Sequence, residues 1–310
     1  MDVKDLRLII ALSKYEHFAR AADACNISQP AFSTRIRKLE DELGVPIVER
    51  GHRFGGFTHE GKIVLKWARM VIANCDGLIQ EIDTARNVLS GDFSIGVVPT
   101  ALPYVSVLIS RFCEKHPLVQ PKIVSLTSND IQRGIDDFSL HAAITYLESE
   151  PLTGVQSLHL YNESYMFVYS DGMLEEDVTD ISWTEAAKYP LCLLTKDMQN
   201  RRIISNIFDS IDVQPTIKVE TNSFAVIMGH ITTGKYASIL PLLYLSSYGM
   251  LEGVNYVRLE DPEVYQSVGL VIADRDPVLP ITKEFLKSTQ EFLKKQSTPS
   301  KSDQLQQCIT

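Results

Sequence analysis

The stretch His17-Phe-Ala-Arg-Ala-Ala-Asp-Ala-Cys-Asn-Ile-Ser-Gln-Pro-Ala-Phe-Ser-Thr-Arg-Ile-Arg-Lys-Leu-Glu-Asp-Glu-Leu-Gly44 carries two helices and the turn between them. Its Ala-rich first part reads as a short helix that closes at Asn26 and Ile27. Ser28 offers the side-chain oxygen that an N-cap needs, and Pro30 is tolerated in the first turn of the next helix. From there Phe32, Ile36, Leu39 and Leu43 recur on one face, and Gly44 supplies a C-terminal stop. Upstream, Val3, Leu6, Ile9, Ile10 and Leu12 space out an earlier helix. Downstream, residues 46–58 form two short extended pieces around a Gly-rich turn. Three short helices followed by a hairpin predict a winged helix-turn-helix over residues 1–58.

The third helix has a second face, opposite its apolar one, bearing Gln29, Pro30, Ser33, Thr34 and Arg37. Glutamine can pair bidentately with adenine in a major groove, serine is adaptable, and the proline ring suits a thymine methyl. Arg35, Arg37 and Lys38 stand where phosphates would run, and Arg50 and Arg53 flank the wing. Ser28, as the cap, completes this candidate DNA-contacting set. The plainer alternative is that Ser28 only caps and the basic residues form a solvated face. A net charge of −9 over 310 residues argues against a nucleic-acid partner only if the charge is evenly spread. It is not. Residues 1–60 hold nine lysines and arginines against nine acids, so the whole excess lies in residues 61–310.

A long helix is expected over 59–90, with Ile63, Trp67, Met70, Leu78 and Ile82 on one stripe. A stripe of that length cannot be covered by a small head, so it is expected to pair with another helix. From Phe93 the pattern alternates strand and helix, and repeated βα units imply mostly parallel sheets with ligand sites at the strand C-termini. The apolar runs are too short to span a membrane, and the charged first residues lack the apolar core of a secretory signal. Five cysteines without a C-x-x-C pair indicate neither a disulfide scaffold nor a metal cluster. The expected setting is cytoplasmic.

The segment from Phe18 to Gly44, with Glu49-Arg50 in the wing and Phe57-Thr-His-Glu-Gly61 opening the long helix, resembles the DNA-binding head of LysR-type transcriptional regulators. The resemblance extends through Thr233-Gly-Lys-Tyr-Ala-Ser-Ile-Leu-Pro241, late in the chain. It implies an α/β chain built from a head, a linker helix and a two-subdomain effector module like a periplasmic binding protein. It further implies a homodimer, commonly a tetramer, on double-stranded promoter DNA, with contact to RNA polymerase as an additional expectation. The expected layout is a head at 1–58, a dimerisation helix at 59–90 and an effector domain at 91–297. Within the last, subdomain I takes 91–162 plus 266–297 and subdomain II takes 163–265, before a disordered tail at 298–310. The stretch from Pro190 to Ile203 also resembles regulators associated with formate dehydrogenase operons. Peroxide-sensing members of the family use a cysteine pair in the second subdomain, and the corresponding stretch Leu193–Arg202 holds none.

Thr100, Ser128-Asn129 and Asn222 stand at expected helix starts directly after strands. Free backbone N–H groups and the positive helix end converge at such positions, with ordinary capping as the plainer alternative. With Arg201 or Arg202 as counter-charge and Tyr146 as a wall, they make a candidate effector site for a small anion, expected to be a carboxylate. Family members often carry an acid where His141 stands, which implies an altered cleft-side network. No cofactor or metal is expected. Gly56–Ile63 nearly matches a phosphate-binding loop, but Ile63 stands where a hydroxyl is needed. No nucleophile elbow appears, so an enzyme is disfavoured. The remaining rival is a small-molecule receptor without a DNA role.

Overall fold

The computed structural model describes residues 1–49, 54–84, 88–175, 177–249 and 251–296. The head comprises α1 (Val3–Tyr15), α2 (Phe18–Ala24) and α3 (Gln29–Leu43), followed by an antiparallel bridge between Val48 and Phe57. Asp2 caps α1 in a capping box with Asp5, and Gly44 ends α3 at φ +69°. Ile9, Leu12, Phe32, Ile36, Leu39 and Ile47 fill the head core, and Phe18 packs edge-on against Phe32 and Phe54. Glu40 accepts from the backbone N–H of Ile47 (2.7 Å) and of Val48 (3.2 Å), pinning the wing to α3.

The long helix α4 (His59–Thr84) starts hard against the wing, where a Cβ on Gly61 would stand 1.9 Å from the Ile47 carbonyl oxygen. One face packs on its own chain: Ala68 and Ile72 against Leu6, Arg7 paired with Asp76, and Arg69 with Asp137. The described part of α4 runs to Thr84, Val88 and Leu89 are not helical, and the strand begins at Ser90 rather than Phe93, because Ser90 and Gly91 already pair in register with Leu118 and Val119.

The part of the chain from Ser90 onward contains two sheets joined by one strand, Val155–Ser170. Parallel β1 (Ser90–Val97), β2 (Leu118–Ser125) and β3 (Ala142–Tyr146) lie in the order β2-β1-β3, and β10 (Tyr265–Ala273) continues the sheet antiparallel to β3. Strand β4 (Val155–Ser170) pairs with β10 through residues 155–164. Its second half, from Tyr165, pairs with β8 (Ser238–Pro241) and β9 (Val254–Glu260), and β5 (Asp180–Ser182) lies parallel to β9. A separate parallel pair, β6 (Leu191–Leu194) and β7 (Ile217–Thr221), completes this lobe. The expected strand 165–169 is therefore the far half of a 16-residue strand shared by both lobes.

Helices α5 (Leu102–Lys115), α6 (Ser128–Asp136) and α11 (Pro280–Gln296) belong to the first lobe. Helices α7 (Trp183–Ala186), α8 (Gln199–Ser210), α9 (Phe224–Ile231) and α10 (Leu242–Tyr248) belong to the second. Short β5, α7, α10 and strand β9 lack a periodic signal in the sequence and form through tertiary contact, as with Trp183, buried against Tyr165 and Phe208. Among the described residues, no helix is long and apolar enough to cross a membrane.

Candidate functional site

Helix α3 turns Phe32, Ile36 and Leu39 inward and leaves Ser28, Gln29, Pro30, Thr34, Arg37 and Lys38 exposed, with Ser33 half-buried. Gln29, Ser33 and Arg37 line one open groove beside the wing. Ser28 accepts the Ala31 N–H at 3.4 Å, which is the capping role. The Thr34 hydroxyl donates back to the Pro30 carbonyl at 2.9 Å, which leaves its methyl and the oxygen's acceptor lone pairs free. Arg35 departs from its expected place on phosphates. Its Nε and Nη2 donate to Asp5 at 2.9 and 2.6 Å and Nη2 reaches Asp2 at 3.2 Å, so the guanidinium straps α3 to the start of α1. Arg50 and Arg53 lie outside the described residues.

On α4, Ile63, Trp67, Leu78 and Ile82 are exposed, joined by Ile79; Trp67 alone is 59% accessible. Met70 is half-buried at the stripe's edge. Leu89 joins the core formed by the strands and helices that follow it.

The cleft between the two lobes holds a polar chain. Thr100, in a short 3-10 turn at Pro99–Ala101, lies 3.0 Å from the Tyr146 hydroxyl. Tyr146 donates to Glu163 Oε1 at 2.6 Å and accepts from Asn200 Nδ2 at 3.3 Å. One phenol proton serves Glu163, so Thr100 is the donor to Tyr146. Burial pushes the Glu163 carboxyl up to about 7, against the hydrogen bond from Tyr146 that pulls it down. Burial also holds the Tyr146 hydroxyl well above its ordinary value. Glu163 sits on β4 at the step between the lobes, while Gln199 and Asn200 open α8; the Gln199 amide is buried with neither atom partnered.

Beside this chain, Arg202 of α8 donates from Nε to Glu150 Oε1 (2.6 Å) and from Nη2 to Oε2 (2.5 Å), and also to Ser128 Oγ (2.9 Å). Hydrogen bonding from Arg202 holds the Glu150 carboxyl below its ordinary value. Both side chains are part-exposed, and pairs of that kind are worth roughly 0–1 kcal/mol.

Several expected residues stand elsewhere. Arg201 is 3% exposed, bonded to Ser205 and paired with Glu220 at 3.5 Å, so it is held inside its own lobe. Asn129 and Asn222 are exposed and outside the polar chain. Thr127, one residue before Ser128, is the cap of α6, and Ser223 precedes α9 without a side-chain cap bond. His141 is not a cleft residue. It immediately precedes β3, at the end opposite Tyr146, and accepts the Ser94 N–H at 2.9 Å. Glu163, Gln199, Asn200 and Glu150 are absent from the sequence reading. Glu163 alone left a trace, as a charge inside an otherwise buried aromatic strand.

Two family descriptions match. The first, a bacterial regulatory helix-turn-helix protein of the lysR family, covers residues 3–62, and the second, the LysR substrate binding domain, covers residues 86–294. The chain belongs to the LysR family. It is a DNA-binding transcriptional regulator with an effector-binding domain. LysR relatives include the DNA-binding transcriptional dual regulator OxyR of Escherichia coli K12, 28% identical over 291 residues that cover 90% of this chain and 91% of OxyR. The hydrogen peroxide-inducible genes activator of Haemophilus influenzae is 26% identical over 291 residues, 90% of this chain and 92% of its own. Among solved LysR folds, a full-length OxyR variant from Pseudomonas aeruginosa gives a TM-score of 0.76 at 23% identity, covering 94% of this chain and 97% of its own. Full-length CbnR complexed with its target DNA gives 0.68 at 17%, covering 94% and 99%. None of these comparisons supports the formate-dehydrogenase-associated subgroup.

Proposed function

We propose that this LysR regulator reads promoter DNA through the outer face of α3, dimerises through the outer stripe of α4, and senses a small organic anion between its lobes. The observation that carries the DNA reading is the split of α3: Phe32, Ile36 and Leu39 are buried while Gln29, Pro30 and Arg37 are free on the surface. The named target DNA of CbnR, whose fold this chain shares, agrees with that reading. Support for an anionic effector comes from Ser128 and Arg202, which face each other across the cleft. Effector binding then alters promoter occupancy or DNA bending. The peroxide in the relatives' descriptions is not carried over, because Cys192 packs in an apolar core and burial pushes its thiol up to about 11, away from a reactive thiolate.

A mobility shift on the chain's own upstream DNA tests the main claim. Gln29→Ala with Ser33→Ala is expected to weaken specific binding roughly tenfold or more while leaving non-specific binding in place. Unchanged specific binding would refute the assignment of α3 as the reading helix.

A further inference from the structure

The cleft already holds a carboxylate, and it belongs to the chain itself. Glu150 receives Arg202 through both oxygens, at 2.6 and 2.5 Å, the fork geometry by which a guanidinium takes a free carboxylate. The Ser128 hydroxyl donates to the same Oε2 at 3.2 Å. Ser128 and Glu150 come from the first lobe and Arg202 from the second, so the three form a clasp between lobes. The two receiving groups are set on helices, Ser128 at the first position of α6 and Arg202 in the first turn of α8. Their occupant is not: Glu150 comes from the irregular segment between β3 and β4. In the same turn of α8 as Arg202, Gln199 is 2% exposed with both amide atoms unpartnered. Buried polar atoms left this way are costly, and a ligand's own polar atoms would satisfy them.

We propose that Glu150 is an internal stand-in for the effector's carboxylate. A small carboxylate displaces it from Arg202 and Ser128 and directs its other polar atoms toward Gln199 and Asn200. The inference rests on the reading of the cleft as an anion site and assigns that site its head-group contacts and its competitor. The closed clasp lowers the apparent affinity for a ligand by the fraction of molecules in which Arg202 is free. A neutral ligand brings no charge to exchange for that of Glu150.

Acetate serves as the probe, with full-length chain, thermal unfolding as the readout, and chloride at matched ionic strength as the reference. Wild-type chain is expected to be stabilised only at high acetate. Glu150→Gln keeps the side chain's size and removes its charge, and it is expected to half-saturate at a roughly two- to fivefold lower concentration. Glu150→Asp, one methylene short of the full reach, falls between the two. Arg202→Gln loses the acetate-specific shift. An equal acetate response in wild type, Glu150→Gln and Glu150→Asp overturns the stand-in and leaves the anion cleft standing. No acetate-specific response in any of these chains overturns both.

Discussion

Glu163 is a buried carboxyl whose protonation the fold controls. An unfolded chain releases this proton in the ordinary carboxylate range, whereas the folded chain keeps it until about 7 because burial penalises the anion. Between about pH 4.5 and 7 the folded state therefore binds the extra proton, and stability falls as pH rises through that window. Urea midpoints measured across it are expected to drop in wild type relative to Glu163→Gln. A difference that stays constant with pH would refute the assignment. The neighbouring basic residues show how little identity alone decides. Arg35, Arg37 and Lys38 look equivalent in the sequence, yet Arg35 is bound to Asp2 and Asp5 and the other two are exposed. Arg201 and Arg202 are adjacent in α8, and a helical step of about 100° sends one into its own lobe and the other across the cleft.

Among the elements, α4 depends on a single close approach at its start. Its first turn touches the wing where Gly61 meets the Ile47 carbonyl, and Thr58 donates to the Pro46 carbonyl at 2.6 Å beside it. Gly61→Ala forces those backbones apart. The expected cost is about 1–3 kcal/mol, read from the urea unfolding transition of the head. A neutral result would mean that the wing shifts freely against α4. The helices with clean apolar spacing, α1, α3 and α4, were legible from the sequence because local periodicity and capping residues define them. The start of β1 was not. Ser90-Gly91-Asp92 has the composition of a loop, and pairing with β2, a partner distant in sequence, makes it a strand.

For the whole molecule, α4 has two faces with different fates. One is covered by α1 and the effector domain, while Ile63, Trp67, Leu78, Ile79 and Ile82 stay exposed on the other. An apolar stripe of that size suits a second copy of the same helix. Trp67→Glu is expected to convert the dimer to a monomer by light scattering and to weaken binding to a two-half-site promoter by tenfold or more, since each head then binds alone. A variant that remains dimeric would place the interface elsewhere. The lobes present the reverse case, with polar groups meeting at a crossing strand. Thr100, Tyr146, Glu163 and Asn200 come from four separate segments, and only the passage of β4 through both sheets brings them together.

The amino-acid order alone fixed the winged head, the face of α3 turned outward, the long amphipathic helix and the alternating grammar of the effector domain. Each of these is written in periods of two to four residues, in caps and in turn residues, so neighbours in sequence suffice to specify it. Arg35's strap, Glu163's buried carboxyl and the clasp of Glu150 on Arg202 depend on side chains 30, 17 and 52 positions from their partners. No local pattern encodes such pairings; they exist only once the sheets and helices have packed.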